Sequence, residues 1–438
     1  MNTDIRGKQG TGSILSLDAI GKQEKFILGS EQIFKSNIKK HTNFSKYQSI
    51  TTVNAVPGVA NWPFGQTVLV TLNPQQLGDL LTNMYLKCTL PLLQDVVEFN
   101  AVYGDQVGRA ILQKAIFRVD TQEIETIYTD WNIIKDEIYL TDDKKNAMKY
   151  LVNGGQDYLP TSSIKSGPID LYIPLNFFFA NNDSTYFPVC SILQQHIVLS
   201  LTFNSVQFFS NTHTVIDYPG SPYLCNMTSF DIVCEQIIMS PEERLYLQSG
   251  TQNLLIETSK LQPQLQIPIN TTNIKNFLVP SIPVETFHWF LRKTIFEQPS
   301  GNFLNRFNYS DTFSYSSSDQ TISPIMSDAI FFLNGSSQLG FMENTTRDSL
   351  QSSYYFKYLQ TDSTGLSSPT RNIYTYSFAL NPMEGPLTGA MDFKTMTADK
   401  TFINISLLNT ATDSYVMNMY YIGLVNLQFS NGFMIILR

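Results

Sequence analysis

The residue types best suited to metal or nucleophilic chemistry are the four cysteines and four histidines of this 438-residue chain. The cysteines are separated by long, irregular gaps without a CxxC pair, and no two histidines have the HxH or HExxH spacing of a zinc site. We therefore expect reduced, buried thiols and predict no metal site. These residues are Cys88, Cys190, Cys225, Cys234, His41, His196, His213 and His288.

Two pairs of neighbouring carboxylates, Glu123 with Glu125 and Asp142 with Asp143, could supply the acid and the base of glycoside hydrolysis. Asp142 and Asp143 would point to opposite sides of a regular strand, which weakens that pair. The sequence contains no GxSxG, GKS/T or GxGxxG motif. We predict no catalytic or cofactor-binding residues, no cofactor and no enzymatic activity. A β-sandwich glycosidase or carbohydrate-binding protein is the alternative that the carboxylates leave open.

The composition favours a protein that covers much of its surface with partners. Charged residues make up 15% of the chain and aromatic residues 13%, and the cores of protein interfaces are likewise poor in charge and rich in aromatics. The net charge of −8 argues against a nucleic-acid binder, and we interpret the short basic cluster Lys39–His41 as a solvated turn. No run approaches the roughly 18 apolar residues of a membrane-spanning helix. Met1–Ser16 lacks the apolar core of a signal peptide, so we expect synthesis in the cytosol.

The elements that position these residues are predicted to be β-strands, because alternation with a period of two dominates the hydrophobic pattern. The apolar residues of Ile197–Phe203 alternate cleanly, and in the second half Phe287, Trp289 and Leu291 oppose His288, Phe290 and Arg292. Many short strands between turn-rich loops predict an all-β protein built of sandwiches. Further strands are expected in Val68–Leu72, Met84–Leu93, Phe230–Ile238, Leu261–Ile269, Ile373–Leu380 and Phe402–Leu408.

A helix start divides the chain near its middle. Ser240 can cap a helix that has Pro241 at its first position and two acidic residues in its first turn. Helices are also expected within 129–139 and 142–151. We predict an N-terminal arm at residues 1–25, a first sandwich at 26–239, a helical connector at 240–250 and a second sandwich at 251–438.

Short motifs follow one another in order along the chain, from Phe26–Gly29 through Asn61–Gly65 and Tyr172–Phe179 to Tyr374–Pro382. Together they resemble the major capsid proteins of the nucleocytoplasmic large DNA viruses. The resemblance extends from about Leu17 to the C-terminus, and the stretch Tyr374–Pro382 is its sharpest match. Alone, that stretch would be interpreted as a plain amphipathic strand, and Asn334-Gly335 as a type I′ hairpin turn. The similar segments are Phe26–Gly29, Ile33–Lys35, Lys40–Phe44, Asn61–Gly65, Tyr128–Trp131, Tyr172–Phe179, Gln195–Val198, Leu333–Gly335, Arg347, Tyr355–Phe356, Tyr374–Pro382, Leu387–Gly389 and Asp392–Phe393.

This resemblance implies two tandem jelly-roll β-sandwiches with long loops and a few short helices. It also implies a structural virion protein: three chains would form a pseudo-hexameric homotrimeric capsomer, and capsomers would tile an icosahedral capsid. The implied partners are further copies of the chain, penton and minor capsid proteins and, through minor proteins, an internal viral membrane, with assembly in the host cytoplasm. A double jelly-roll scaffold for viral membrane assembly has the same fold and remains an alternative.

The aromatic run Phe177–Phe179 follows a proline-bounded apolar segment, Gly167–Leu175, which suits a buried strand that opens into a loop. We expect at least one of these rings in the core. The others are expected at a boundary between subunits, because a loop of a monomer rarely exposes so much adjacent aromatic surface.

Overall fold

A computed structural model describes residues 44–92, 103–104, 106–155, 168–181, 185–210, 225–298, 306–307, 309, 325–337, 371–380, 388–408 and 412–437. The predicted arm at 1–25, the family-like segments between 26 and 43, and the residues at 347, 355–356, 381–382 and 387 lie outside this range. So do His41 and His213.

The first half of the chain folds into two facing antiparallel sheets. Sheet one has the strand order β1-β9-β3-β6, with the short β7 paired to β3, and sheet two has the order β2-β8-β4-β5. The strands are β1 Phe44–Asn54, β2 Thr67–Leu72, β3 Leu80–Leu90, β4 Leu112–Val119, β5 Gln122–Tyr128, β6 Ile169–Pro174, β7 Phe187–Pro188, β8 Ile197–Phe203 and β9 Ser229–Met239.

The second half repeats this arrangement. Its sheets have the orders β10-β18-β13-β16, with β11 and β19 also paired to β18, and β12-β17-β14-β15. If the additional strands β7, β11 and β19 are left out, each half has eight strands, which can be numbered 1 to 8 in chain order. In both halves a sheet of order 1-8-3-6 then faces a sheet of order 2-7-4-5, which is the jelly-roll topology. The strands are β10 Thr251–Leu261, β11 Leu265–Ile267, β12 Asn273–Phe277, β13 Val284–Lys293, β14 Met326–Leu333, β15 Ser336–Ser337, β16 Tyr374–Ser377, β17 Phe402–Leu407, β18 Tyr415–Ser430 and β19 Phe433–Leu437.

The described helices are short and lie between strands. The longest are Thr129–Ile138 and Asp142–Val152, both within the excursion between β5 and β6. The helix predicted after Ser240 spans Pro241–Gln248, and the Ser240 side chain accepts a hydrogen bond from the Glu243 amide. None of the helices in the described part of the chain is long and apolar enough to cross a bilayer. The remaining described α-helices are Val107–Ala110, Val206–Phe209 and Thr294–Glu297. Short 3₁₀ helices occur at Pro74–Gln76, Phe178–Ala180, Val189–Ser191, Phe393–Thr395 and Ala398–Lys400.

Two hairpins have the type I′ turns that Asn-Gly pairs favour, because both central residues need positive φ. Asn334 and Gly335 have φ of 52° and 83° between β14 and β15, which confirms the predicted turn. Asn431 and Gly432, with φ of 53° and 81°, join β18 to β19 in the same way.

The core of the first jelly roll is centred on Phe117, whose ring lies 5.2 Å from those of Phe179 and Phe187. Phe177, Phe178 and Phe179 are 0%, 3% and 0% exposed. The expectation that one ring lies in the core is confirmed, but the expectation that the others lie at a subunit boundary is wrong. A 3₁₀ turn at Phe178–Ala180 folds the run back onto the sheet, so that all three rings are buried within the chain.

All four cysteines are buried and have free thiols, as expected. Burial raises the pKa of Cys88 and Cys234 to about 12 and that of Cys190 and Cys225 to about 11. The reactive thiolate is therefore scarce at neutral pH.

Candidate functional site: the interface between the jelly rolls

The interface between the two jelly rolls is built on β13, in which every residue is buried. Phe287, Trp289 and Leu291 pack in the core of the second jelly roll, as their alternation predicts. The opposite face of β13 is buried too, because the first jelly roll lies on it. Phe290 belongs to the core cluster of the first jelly roll, and Trp131 lies 5.6 Å from the His288 ring.

An ion-pair network closes one part of this interface. Arg292, 2% exposed, pairs with Asp130 of the first jelly roll and with Glu297 Oε1 at 3.0 Å. Tyr309 donates a hydrogen bond to the same Asp130 at 2.9 Å. Burial disfavours the charge of Arg292, but Asp130 and Glu297 outweigh it and raise the pKa of the guanidinium. A buried cation with two carboxylate partners fixes the relative position of the sandwiches, since loss of either partner would leave a buried charge unpaired.

A neutral network lies beside it around His288, which is fully buried. His288 Nε2 lies 3.0 Å from Tyr139 Oη of the first jelly roll, and Nδ1 lies 2.9 Å from Thr375 Oγ1. Burial lowers the pKa of the imidazole to about 3, so the ring is neutral at physiological pH. His288 is a structural histidine, whereas His196 is exposed on a turn before β8.

Glu125 has a similar role, which argues against the catalytic hypothesis. Its carboxylate is 2% exposed and accepts hydrogen bonds from the Ser259 amide at 2.9 Å and from the Phe178 amide at 2.7 Å. It thus joins the first jelly roll to β10 of the second. Burial raises its pKa, against the opposing effect of these donors and of Lys135. Glu123 is exposed and pairs with Arg118 at 3.7 Å, so the two carboxylates do not face a common cleft.

The second candidate pair lies at the start of a helix. Asp142 and Asp143 open the helix Asp142–Val152, and Asp143 is exposed to solvent. Within the ranges that the structure describes, no three His, Cys, Asp or Glu side chains come together as metal ligands.

The β18–β19 hairpin extends from the second jelly roll across the first. Met434 is fully buried, and its amide donates to Gln195 Oε1 at 2.5 Å. Phe429 lies 5.9 Å from Phe187, in the aromatic core of the first jelly roll. On the other face of β19, Phe433, Ile435 and Leu437 are 40–45% exposed. The core of the first jelly roll is therefore completed by a strand from the second.

Sequence reasoning missed Arg292, Asp130 and the Glu125–Ser259 contact as interface residues. A signal was present in Val284–Lys293, where polar residues alternate with large apolar ones that include Phe290 on the polar face. The same pattern also fits a strand with one face in solvent. Only the packing of the other jelly roll shows that the polar face of this strand is buried in an interface.

Comparison with known proteins agrees with this architecture. The family described as major capsid protein N-terminus matches residues 32–230, and the family described as large eukaryotic DNA virus major capsid protein matches residues 243–416. The major capsid protein of Phaeocystis pouchetii virus is 22% identical over 295 residues, which are 60% of this chain and 55% of that protein. That of Pyramimonas orientalis virus is 28% identical over 199 residues, 44% of this chain and 46% of the relative. The chain thus spans about half the length of these curated relatives.

Solved structures show the same fold over nearly the whole chain. PBCV-1 VP54, a crystal structure fitted into a reconstruction of the virophage Sputnik, aligns with a TM-score of 0.69 at 16% identity, covering 92% of this chain and 98% of that one. The Faustovirus major capsid protein aligns with a TM-score of 0.67 at 10% identity, covering 98% and 99%. With two family matches that together span most of the sequence and a double jelly-roll fold, the chain belongs to the major capsid protein family of the large eukaryotic DNA viruses.

Proposed function

We propose that this chain is the shell-forming subunit of a large DNA virus, and that three copies form a pseudo-hexameric capsomer which tiles an icosahedral capsid. The observation that supports this most strongly is the fixed tandem of two jelly rolls with identical strand order. Six such units from three chains can surround one axis in similar environments, which gives a nearly hexagonal outline.

Two features favour association of the chain into a trimer: the rigid connection between its jelly rolls and the apolar side chains on its surface. The buried networks at Arg292, His288 and Glu125 make the two jelly rolls a single block, so that contacts between chains need not also order the domains. Large apolar side chains on described surfaces remain exposed, among them Ile50 at 59% and Leu380 at 88%. A permanent trimer of such chains should bury more than about 2,000 Å².

Two measurements test the proposal. Native mass spectrometry or light scattering of the purified chain should find trimers at micromolar concentrations, and a chain that stayed monomeric would contradict the capsomer. Quantitative mass spectrometry of purified virions should find this protein among the most abundant. A chain present during assembly but missing from mature virions would instead identify it as a scaffold.

The absence of enzymatic activity is also part of the proposal. Its support is that Glu125 is committed to the interface while Glu123 faces solvent beside Arg118. Hydrolysis of any member of a glycan panel by the purified trimer, abolished by Glu123→Gln, would contradict it.

We further propose penton and minor capsid proteins as partners, contact with an internal membrane through minor proteins, no direct contact with nucleic acid, and assembly in the host cytoplasm. The division into an arm at 1–25, jelly rolls at 26–239 and 251–438, and a connector at 240–250 belongs to the same proposal. Its support is the exposed helix Pro241–Gln248 between β9 and β10. Proximity labelling from the capsid in infected cells would test the partners.

A further inference from the structure

The two jelly rolls differ in one respect that their topology does not explain. The third strand of the second, β13, is buried on both faces. In the third strand of the first, β3, only alternate residues are buried from Met84 to Leu90, and Lys87 and Thr89 are exposed. Both strands occupy the same place in a 1-8-3-6 sheet. The difference arises because the first jelly roll lies on the outer face of the second, whereas nothing within the described chain lies on the outer face of the first.

That open face has the character of an interface. One row across its four strands consists of Ile50, Val233, Tyr85 and Pro174. Ile50 is 59% exposed and Tyr85 and Pro174 are partly exposed, whereas Val233 is buried between its neighbours in the row. The neighbouring row brings Tyr172 within 4.7 Å of Tyr85, measured between ring centroids.

Ordered polar groups surround this apolar row. Glu235 binds Lys46 at 3.2 Å and accepts hydrogen bonds from Gln48 and Asn83 at 3.0 and 2.9 Å. Thr52 donates to Asp231 at 2.7 Å. A central tyrosine and aliphatic row with a polar rim of fixed geometry is the usual anatomy of a protein interface.

We propose that the outer face of the β1-β9-β3-β6 sheet binds the second jelly roll of another copy of this chain. This inference rests on the trimer proposed above and names the surface that closes it. The contact would repeat between chains the one that the first jelly roll makes on β13 within a chain. Within each copy, the first jelly roll covers the outer face of the second, and the described part of the chain leaves the corresponding face of the first uncovered. The contact is therefore head-to-tail, and rotation of three copies closes a ring.

The part of the second jelly roll that would contact the open face can be inferred from the contact within the chain, because the two contacts are proposed to be equivalent. Within the chain, the first jelly roll contacts the sheet that contains β13 with two successive elements. Its fifth strand, β5, binds β10 through Glu125 and Ser259, and the helix Thr129–Ile138 directly after it places Trp131 against His288 of β13. The fifth strand of the second jelly roll is β15, and the backbone of Lys400 lies beside it, since the Gly335 amide donates to the Lys400 carbonyl at 2.9 Å. Exposed Lys400 is therefore expected close to the open face of the next chain.

A matched pair of substitutions tests the surface. Ile50 in β1 is 59% exposed on the open face, and Leu69 in β2 is 64% exposed on the outer face of the opposite sheet. Ile50→Arg should weaken trimer formation about tenfold or more by native mass spectrometry over a concentration series, while Leu69→Arg should leave it unchanged. Lys87→Glu, at an exposed site that tolerates charge, provides a second variant, and circular dichroism confirms the fold of each.

The outcomes separate the two proposals. Trimers of Ile50→Arg and Lys87→Glu as stable as wild type, or equal dissociation by Leu69→Arg, would overturn the assignment of this face and leave the capsomer standing. A monomeric wild type would overturn both.

Lysine cross-linking of trimers mixed from ¹⁴N and ¹⁵N chains identifies the partner. Links between chains are expected from Lys46 and Lys87 to Lys394 or Lys400 of the second jelly roll. Links from these residues that reached only the first jelly roll of the other chain would show a contact between like domains and would overturn the inference.

Discussion

At the scale of residues, the aromatic cluster around Phe117 consists of rings that are almost completely buried. Phe179→Ala removes a fully buried ring that contacts Phe117 and Phe178. It should lower the free energy of unfolding by about 3–5 kcal/mol through the cavity that it leaves. Phe44→Ala, at a ring 58% exposed, is the control and should change the unfolding free energy of the isolated chain by less than about 1 kcal/mol. Equal denaturation midpoints for the two variants would contradict the burial of the run.

Glu285 should make the stability depend on pH. Burial, with a further contribution from Glu257, raises its pKa from 4.5 to about 7. Between these values the folded state binds more protons than the unfolded state, so stability falls as the pH rises from about 4.5 to about 7. Glu285→Gln should therefore stabilise the chain above pH 7, by on the order of 1–3 kcal/mol, and have little effect near pH 4.

Glu235 provides the opposite control. Although burial acts against it, hydrogen bonds from Asn83, Gln48 and Lys46 lower its pKa. The ionised Glu235 therefore contributes to the free energy of unfolding above the pKa of the unfolded state, and this contribution is lost as the pH falls. Glu235→Gln should destabilise the folded chain at pH 7. Chemical denaturation of both variants between pH 4 and 8 measures the two slopes. If the effects of the two substitutions on the free energy of unfolding changed with pH in the same direction, these side chains would not be in the environments described.

The chemistry of these residues was only partly predictable from sequence. The absence of motif spacing correctly led us to expect buried, free cysteines, since that inference needs only local pattern. The fate of Glu125 was not predictable, because its partners Ser259 and Phe178 lie 134 and 53 residues away. A carboxylate in an alternating strand has the same local sequence whether it faces a cleft or a domain interface.

At the scale of elements, β19 adds to the attachment of the second jelly roll to the first, because Met434 is buried in the core of the first. Met434→Asp would place a charge in the shared core and should lower the unfolding free energy by about 3 kcal/mol or more. Ile435→Asp, one residue along and on the exposed face, should cost less than about 1 kcal/mol in the isolated chain. Thermal unfolding of both variants measures the difference, and comparable losses would show that β19 does not pack as a two-faced strand.

Element positions were predicted best where one face is apolar. Ile197–Phe203 coincides with β8, and the helix after Ser240 begins where its cap and proline place it. β18, with 16 residues the longest strand in the described part of the chain, was missed. Its first nine residues are all buried, because the two jelly rolls cover opposite faces. Those nine residues have no alternation that indicates a strand, although Val425, Leu427 and Phe429 do alternate with polar residues in its second part.

At the scale of the whole molecule, the shared core should make the two jelly rolls unfold together. Trp62 reports on the first jelly roll and Trp289 on the second, while Trp131 lies between them. With Trp131→Phe as background, variants that retain only Trp62 or only Trp289 should give coincident denaturation midpoints at one protein concentration. Two separated transitions would mean that the interface networks do not couple the domains.

The hairpin contact between Met434 and Gln195 also has a consequence for synthesis, because the two residues are 239 positions apart in the chain. At about 5–20 residues per second, a ribosome needs roughly 10–50 s to travel that distance. For most of that time the strands of the first jelly roll have been translated, up to the end of β9 at Met239, but the strand that completes its core has not. Its folding is therefore finished only after translation of β19, and nascent chains must survive an interval in which apolar surface is open to other chains emerging from the same polysome.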